Sequence, residues 1–230
     1  MLSDAMEDYL KAIYILQGED EGPVGTSTLA EYLGKTPPTV TSMVGKLTDQ
    51  GLAEREKYKG VELTEEGETV ALEVLRHHRL LEAYLSEHLD YAPSEVHAEA
   101  DALEHHISEE FERRVAAVLG DPDVDPHGDP IPGADLSPPA EADAAPLTDY
   151  AAGAEVVVAR VSDRDDDELA YLEEAGVTPG TTLRIEEIAP FGMVTVTVGD
   201  RTQSLPESVA SSVRVRPGEI DADPEPEEAA

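Results

Sequence analysis

The chain has 230 residues, of which 51 are acidic and 16 are basic, so its formal net charge is −35. A charge of this size with only 4% aromatic residues is typical of disorder, yet 40% of the residues are apolar and fall in periodic segments. We therefore expect a folded protein with an acidic surface, similar to the surfaces of proteins from salt-loving organisms. The absence of cysteine excludes disulfides, thiolate metal sites and redox thiols.

The sequence shows no signal for a membrane or for secretion. Its first residues lack a basic segment followed by an apolar one, and no apolar run approaches the ~18 residues of a membrane span. We predict a soluble, cytoplasmic protein without a membrane partner.

The first 63 residues have the pattern of a DNA-binding unit. An apolar stripe predicts a helix over 6–17, a second short helix covers 26–33, and a third begins at Pro37-Pro38 and ends near Gln50. Two alternating stretches around Lys59-Gly60 then predict a β-hairpin. This order is typical of a winged helix–turn–helix, which we assign to 1–63.

An acidic protein is a poor partner for DNA, but the predicted DNA-binding unit is nearly neutral within this strongly acidic chain. Residues 1–60 carry 6 basic and 10 acidic residues, whereas the remaining 170 carry 10 and 41. The lysines of the turn, third helix and hairpin are placed to contact phosphates. The small side chains at the start of the third helix could reach base edges, although small hydroxyl residues are also ordinary at the start of a helix. The candidate DNA-contacting residues are Lys35, Thr36, Pro38, Thr39, Thr41, Ser42, Lys46, Lys57 and Lys59.

A helical segment follows over 64–120. Thr64 is placed to cap a long helix, and the pattern breaks at Ala92-Pro93 because proline cannot continue a helix interior. After this break we predict one further helix with an apolar ridge at near-heptad spacing, which is either intramolecular core or a dimer seam. The ridge comprises Leu103, Ile107, Phe111, Val115 and Val118.

Six of the seven histidines lie in residues 74–112 of this helical segment. A helical spacing of i, i+4, i+7 and i+8 places four potential ligands on one side of the second helix, and an i, i+4 pair lies on the helix before it. Imidazole and carboxylate groups on facing helices suit a divalent first-row metal, although histidines are also common as plain surface residues. The four are His97, Asp101, Glu104 and His105, and the pair is His78 and Glu82.

The remaining segments predict a linker, a β domain and a tail. Residues 121–148 are rich in proline, so we predict an extended linker in which His127 is solvated. Five short strands and one helix then predict a small SH3-like barrel over 149–217. The acidic tail 218–230 is predicted to be disordered. The expected fold class is mainly α with a C-terminal all-β domain.

Several segments together carry a family resemblance. They are MEDYLKAIY, TPPTVTSMVGKL, EREKYKGVELTEEG, HRLLE, VHAEADALEHH and PHGDPIPG. Through residues 4–133 the chain resembles the DtxR/MntR (IdeR/SirR-like) metal-dependent repressors, and its β domain resembles the FeoA-like domain of their long form. The resemblance implies a homodimer that binds a palindromic operator of metal-homeostasis genes when its helical domain holds a divalent metal.

The resemblance also implies the metal ligands. The primary site would comprise Asp8, Asp101, Glu104 and His105, and the ancillary site would comprise His78, Glu82 and His97. The third domain of long members adds two ligands, which match Asp165 and Glu168 in this chain.

Two departures from the family pattern bear on the metal. Iron-responsive members place Met and Cys where this chain has Asp8 and Asp101, and the oxygen-rich replacement favours Mn²⁺. Manganese-responsive members, however, use a second acidic residue where this chain has Lys11. We predict Mn²⁺ as the cofactor, with Fe²⁺ a close second.

The sequence lacks the motifs of several enzyme classes. The chain has no Glu-x-x-His pair of a di-metal oxidase, no HExxH motif, no glycine-rich phosphate loop and no nucleophile elbow, so we predict that it is not an enzyme. The alternatives are a metal-independent winged-helix regulator with an acidic solubility surface and a metal buffer with a vestigial DNA domain.

Overall fold

The computed structural model describes residues 2–20, 22–56, 59–139, 143–190 and 192–218. The described residues form two compact units. The first is drawn from residues 1–92, 96–125 and 130–140, and the second from 93–95, 126–129 and 141–230. No helix in the described ranges combines the length and the apolar character that crossing a membrane requires.

The first unit begins with a winged helix–turn–helix, as predicted. Its helices are α1 (Asp4–Asp20), α2 (Thr26–Tyr32) and α3 (Pro37–Asp49), and its antiparallel wing strands are β1 (Ala53–Glu56) and β2 (Gly60–Leu63). Leu10, Ile13, Leu29 and Leu47 are fully buried in the core that joins these elements. The two prolines occupy the first turn of α3, where the missing amide hydrogens cost no helical hydrogen bonds.

The long helix α4 (Glu65–Leu89) follows the wing directly. Oγ1 of Thr64 accepts a hydrogen bond from the amide of Gly67 at 3.1 Å, which confirms the predicted cap. The helix ends at Asp90, whose φ of 59° is left-handed. Most of the middle of α4 is buried, including both arginines and both histidines of residues 76–79.

The prediction of one helix after Ala92-Pro93 is wrong beyond residue 103. The chain forms α5 (Pro93–Leu103) and, after a turn, α6 (Glu109–Leu119). The second helix begins because Oγ of Ser108 accepts a hydrogen bond from the amide of Phe111 at 3.3 Å, a cap that the apolar spacing conceals. The predicted ridge is therefore divided: Leu103 packs with Val96, Val115 packs with Leu80, and Phe111 is exposed.

The first part of the predicted linker is packed rather than extended. Val124 and Pro130 form a β-bridge, and the carbonyl groups of Pro130 and Pro132 accept hydrogen bonds from Arg79 and Arg76 of α4. Proline-rich segments pack in this way where buried donors satisfy their carbonyl groups.

The prediction that His127 is solvated is also wrong. The side chain is fully buried in the second unit, where its Nε2 lies 3.0 Å from the carbonyl oxygen of Pro93. Nearby, Nε of Arg160 forms an ion pair with Asp129 at 3.3 Å. The composition of the segment is typical of a linker, but these tertiary contacts override it.

The second unit contains a six-stranded antiparallel sheet of the FeoA/SH3-like type. Its strands are β3 (Ala145–Pro146), β4 (Glu155–Arg160), β5 (Thr182–Ile188), β6 (Met193–Val198), β7 (Arg201–Pro206) and β8 (Arg214–Pro217), in the order β3-β8-β4-β5-β6-β7. The helices are α7 (Asp166–Ala175) and α8 (Glu207–Ser212). Alternate residues such as Val156 and Val158, or Leu183 and Ile185, fill the core. The predicted disordered tail lies outside the described residues, except for Gly218.

Candidate metal centre

Helix α1 brings three ionisable side chains to the same side of the first unit. Glu7, Asp8 and Lys11 are spaced i, i+1 and i+4, so a single helical turn presents all three. The opposite side of α1 carries Leu10 and Ile13, which are fully buried in the DNA-binding core. The core therefore fixes the helix, and the helix in turn fixes the three polar side chains.

The predicted ancillary ligands are brought together by α4 and α5. Nε2 of His78 lies 3.0 Å from Oε1 of Glu82, one turn further along α4. Nδ1 of His97, from α5, lies 3.2 Å from that oxygen and 3.2 Å from Nε2 of His78. Two imidazoles and one carboxylate thus converge at a place where His78 and Glu82 are buried.

The turn after α5 carries the next two predicted ligands. Nε2 of His105 lies 2.9 Å from Oδ1 of Asp8, and Nδ1 of the same ring lies 2.8 Å from Oε2 of Glu7. Glu104 is fully buried, and its Oε1 lies 3.3 Å from Nε2 of His105. One ligand atom from each of Asp8, Glu104 and His105 lies within 4.8 Å of the others.

Asp101, the fourth predicted primary ligand, belongs to an adjoining group. Its Oδ1 lies 3.3 Å from Nδ1 of His78, and Oε2 of Glu104 lies 2.6 Å from the same nitrogen. These three residues form a central group that connects the primary ligands with the ancillary ones. The predicted wheel is wrong in one respect, because Glu104 and His105 lie in the turn after α5 and not on the helix.

The ammonium group of Lys11 lies within this central group. Its Nζ is 2.7 and 2.8 Å from the two carboxylate oxygens of Glu104, 2.9 Å from Oδ1 of Asp101 and 3.4 Å from Nδ1 of His78. Burial alone lowers the pKa of Lys11, but the carboxylates of Glu104 and Asp101 outweigh it and leave the pKa above its ordinary value. The lysine therefore stays charged at neutral pH.

The neighbouring ligands are perturbed by the same contacts. Burial lowers the pKa of His78, but the adjoining carboxylates of Glu82 and Glu104 overcome this effect and raise it to about 10. Burial opposes the charged form of Asp101, yet Lys11 and His78 hold the pKa of that carboxyl below its usual range. For Asp8, burial prevails over the attraction of His105, so its pKa is raised.

The donor set fits a hard or borderline divalent cation. All candidate ligand atoms are carboxylate oxygens and imidazole nitrogens, and sulfur ligands are absent from the group. The residues that could hold such an ion from α1 and the turn are Asp8, Glu104 and His105, and those that could hold one from α4 and α5 are His78, Glu82 and His97.

The two predicted ligands of the third domain make local contacts in the second unit. Asp165 caps α7, where its Oδ1 accepts a hydrogen bond from the amide of Glu168 at 2.9 Å. Oε1 of Glu168 accepts a hydrogen bond from the hydroxyl of Ser212. These contacts give both residues a structural role, and their assignment as ligands remains a prediction.

Helix α3 exposes most of the predicted DNA-contacting residues on one side. Val40, Val44 and Leu47 are buried, while the intervening polar residues face away from the core. The exposed set comprises Lys35, Thr36, Pro38, Thr39, Thr41, Ser42 and Lys46. Lys59 is exposed on the wing, and Lys57 lies outside the described residues.

Two participants in the centre were not assigned from the sequence. Glu7 contacts the ring of His105, and Lys11 contacts Asp101 and Glu104. The i, i+4 spacing of Glu7 and Lys11 around Asp8 carried this signal, because it places all three on one side of α1.

Family models cover nearly the whole chain. Residues 1–61 match the iron dependent repressor N-terminal DNA binding domain, 64–133 match the iron dependent repressor metal binding and dimerisation domain, and 145–217 match the FeoA domain. The chain belongs to the DtxR/MntR family of metal-dependent repressors. The members of this family are transcriptional repressors and not enzymes, as the sequence predicts.

Relatives of this DtxR/MntR family member are similar to it over more than nine tenths of its length. The iron-dependent repressor IdeR of Mycobacterium tuberculosis is 36% identical over 225 residues, which cover 93% of this chain and 97% of that protein. The diphtheria toxin repressor of Corynebacterium diphtheriae is 30% identical over 93% of this chain and 97% of its own.

A manganese-dependent transcriptional repressor solved in complex with manganese superposes with a TM-score of 0.85 at 37% identity, covering 92% of this chain and 99% of that one. The manganese regulator SloR gives 0.76 at 31% identity, covering 93% of this chain and 98% of its own. The family relatives thus include proteins named for iron and proteins named for manganese.

Proposed function

We propose that this family member is a homodimeric repressor for which Mn²⁺ is the co-repressor, with Fe²⁺ as the second candidate. Metal binding increases the affinity of the dimer for a palindromic operator upstream of metal-homeostasis genes. The protein acts in the cytoplasm, where that DNA is. The metal-independent alternative has no support from the family matches, which include a metal-binding domain.

One juxtaposition carries this proposal. Asp8 lies on the first helix of the DNA-binding domain, whereas Glu104 and His105 lie in the metal-binding and dimerisation domain, and their ligand atoms are within 4.8 Å of one another. When bound, a divalent cation supplies the positive charge that lets carboxylates from both domains share one site. Asp8 then links the DNA-binding helix to the dimerisation domain.

The other residues of the centre position these ligands. Glu7 accepts a hydrogen bond from His105, which fixes the ring and directs its other nitrogen toward Asp8. Helices α1 and α3 share one hydrophobic core, so a change in the position of Asp8 on α1 also moves α3. The exposed threonines and serine of α3 face the DNA. The chain therefore offers a continuous route from ligand atoms to DNA-contacting residues.

The preference for Mn²⁺ follows from the chemistry of the donors. Asp8 and Asp101 provide oxygen where sulfur would favour softer metals, and the remaining donors are carboxylates and imidazoles. A further proposal, which the local contacts of the second unit do not test, is that Asp165 and Glu168 add ligands from the third domain.

The proposed coupling has an expected size. Allosteric coupling between two sites amounts to about 1–3 kcal/mol, so metal should increase operator affinity by about 5–150-fold, and operator DNA should tighten metal binding by the same factor. The test is the affinity of the protein for DNA upstream of its own gene, measured by fluorescence anisotropy in high potassium with chelator, with Mn²⁺, and with Fe²⁺ under anaerobic conditions.

The outcomes of this experiment are distinct. An increase of about tenfold or more with one metal supports the co-repressor function and names the activating metal. Equal affinity with chelator and with both metals would establish a metal-independent regulator instead. Metal binding without preference for the operator over unrelated DNA would identify a metal buffer.

A further inference from the structure

The central ligand group already contains a positive charge that belongs to the chain itself. Nζ of Lys11 contacts both carboxylate oxygens of Glu104 at 2.7 and 2.8 Å, Oδ1 of Asp101 at 2.9 Å and Nδ1 of His78 at 3.4 Å. Three candidate metal ligands thus surround one ammonium group. A cation held by carboxylate oxygens has the arrangement of a bound ion, except that a side chain tethers it.

The contact with Glu104 is shielded from solvent. The side chain of Glu104 is 0% exposed and that of Lys11 is 13% exposed. Buried ion pairs are screened by salt much less than surface pairs are. The attraction between Lys11 and Glu104 therefore persists at high salt concentration. An uncompensated buried carboxylate is unfavourable, and Lys11 supplies compensating charge to Glu104 together with His78.

We propose that the Lys11 ammonium is a tethered cation that competes with the divalent metal for Glu104 and thereby sets the metal concentration at which the protein responds. This inference rests on the proposed function, because it concerns the same metal centre. It adds a residue of α1 whose role is to oppose metal binding rather than to support it.

Lys11 and a metal ion compete because Glu104 has only two carboxylate oxygens. Both carboxylate oxygens of Glu104 are occupied by Lys11, so a metal that coordinates Glu104 must replace at least one of these contacts. Asp101 keeps its second oxygen, which lies 3.6 Å from Nε2 of His97. A divalent ion near the ammonium also experiences repulsion between like charges, which weakens its binding further.

Removal of the charge should have two effects of opposite sign. Without metal, Lys11→Met removes one of the cations that contact the buried Glu104 and leaves His78, at 2.6 Å, as another, so the melting temperature in chelator should fall. With metal, the competitor is absent and the divalent ion supplies the missing charge, so affinity for Mn²⁺ should rise at least about tenfold. A residue with a merely structural role would lower both quantities together.

The experiment measures Mn²⁺ affinity from the electron paramagnetic resonance signal of the free aqueous ion, and melting temperature in chelator. Lys11→Met is compared with the wild type, and Lys11→Gln removes the charge but keeps a hydrogen-bond donor in case the apolar variant does not fold. Lys11→Arg keeps the charge and should retain the affinity of the wild type. Arg184→Met removes an exposed cation from the second unit and controls for net charge.

The results separate this inference from the proposed function. Tighter Mn²⁺ binding by Lys11→Met or Lys11→Gln, but not by Lys11→Arg or Arg184→Met, supports the tethered cation. The inference is overturned if both neutral variants bind Mn²⁺ no more tightly than the wild type does. It is also overturned if Lys11→Arg binds Mn²⁺ as tightly as the neutral variants do. If only the neutral variants bind Mn²⁺, the inference stands and the proposed function fails. If no variant binds Mn²⁺, both fail.

Discussion

Nε2 of His105 lies 2.9 Å from Oδ1 of Asp8, although the two residues are separated by 97 positions in the chain. The other nitrogen of the ring lies 2.8 Å from Oε2 of Glu7. Helix α1 therefore contacts both ring nitrogens, and this side chain joins the turn that follows α5 to the DNA-binding domain, as the contact of Glu104 with Lys11 also does. A change at this contact should alter the response to metal more than it alters folding.

Replacement of Asp8 by alanine tests this link directly. Asp8→Ala removes the carboxylate that α1 contributes to the ligand group, so the ratio of operator affinities with Mn²⁺ and with chelator should fall from about 5–150 to nearly one. Fluorescence anisotropy measures the ratio, and sedimentation velocity should show an unchanged dimer. Asp4→Ala, which removes an exposed carboxylate from the first turn of the same helix, is the matched control and should keep the ratio of the wild type. A full metal response by Asp8→Ala would exclude Asp8 as a ligand.

Glu7 is expected to position His105 without binding the metal. Glu7→Ala removes the acceptor of the Nδ1 hydrogen bond, and loss of such a partner typically weakens metal affinity by about 10–100-fold. Glu7→Gln should recover part of this loss, because its amide oxygen can accept the same hydrogen bond. Competition with a chromogenic chelator measures the affinities. Equal affinities for the alanine variant and the wild type would show that the ring of His105 is oriented by other contacts.

The winged helix, the break at Ala92-Pro93 and the strands of the second unit were predictable because each depends on local signals. Proline, capping residues and alternation act over a few neighbouring positions. The break before Ser108 was missed because the apolar spacing of residues 103–118 continues through it. Burial of His127 was missed for a different reason, since its partner Pro93 is distant in sequence and the composition around it is typical of a linker.

Seven predicted ligands come together in the candidate centre, but the participation of Glu7 and Lys11 and the grouping of the ligands were not predicted. The sequence spacing of His97, Asp101, Glu104 and His105 is that of one side of a helix, yet Glu104 and His105 lie in a turn. Glu104 contacts His78, whereas His105 contacts Asp8. The contact of Lys11 with Glu104 joins residues 93 positions apart. The spacing on α1 places Lys11 beside Asp8, but it does not show that Glu104 lies opposite, because that contact depends on how the turn after α5 packs against α1.

Metal binding should release a proton from His78. Its pKa is raised from 6.5 to about 10 in the metal-free protein, whereas a metal ligand must be the neutral imidazole. Metal affinity should therefore rise with pH throughout the interval from 6.5 to about 10 and level off above it. In the metal-free protein the charged ring stabilises the fold fully below pH 6.5, and this stabilisation is lost as the pH rises through about 10.

Calorimetry in two buffers of different ionisation enthalpy measures the released protons. The wild type should release at least one proton per Mn²⁺ bound near neutral pH, and His78→Gln should release fewer. His88→Gln, which changes an exposed histidine at the end of α4, is the control and should match the wild type. If the metal affinity is independent of pH across this range, His78 is not protonated in the metal-free centre.

The start of the helix that carries His78 lies close to the backbone that follows α3. Gly67 lies in the first turn of α4, where an added Cβ would be 1.9 Å from the carbonyl oxygen of Leu52. Such a distance forces the helix and the backbone after α3 to separate. Gly67→Ala should therefore lower the free energy of unfolding by about 1–3 kcal/mol, or more if the backbone cannot shift.

Gly45 provides a matched comparison because it is also helical, yet an added Cβ there meets nothing within 4 Å. Gly45→Ala should raise the free energy of unfolding by about 0.4–1 kcal/mol, because alanine restricts the unfolded chain more than glycine does. Chemical denaturation in chelator, without DNA, measures both changes. If Gly67→Ala is as stable as the wild type, the start of α4 is able to move relative to Leu52. The position of His78 would then depend less on the DNA-binding core than this close approach implies.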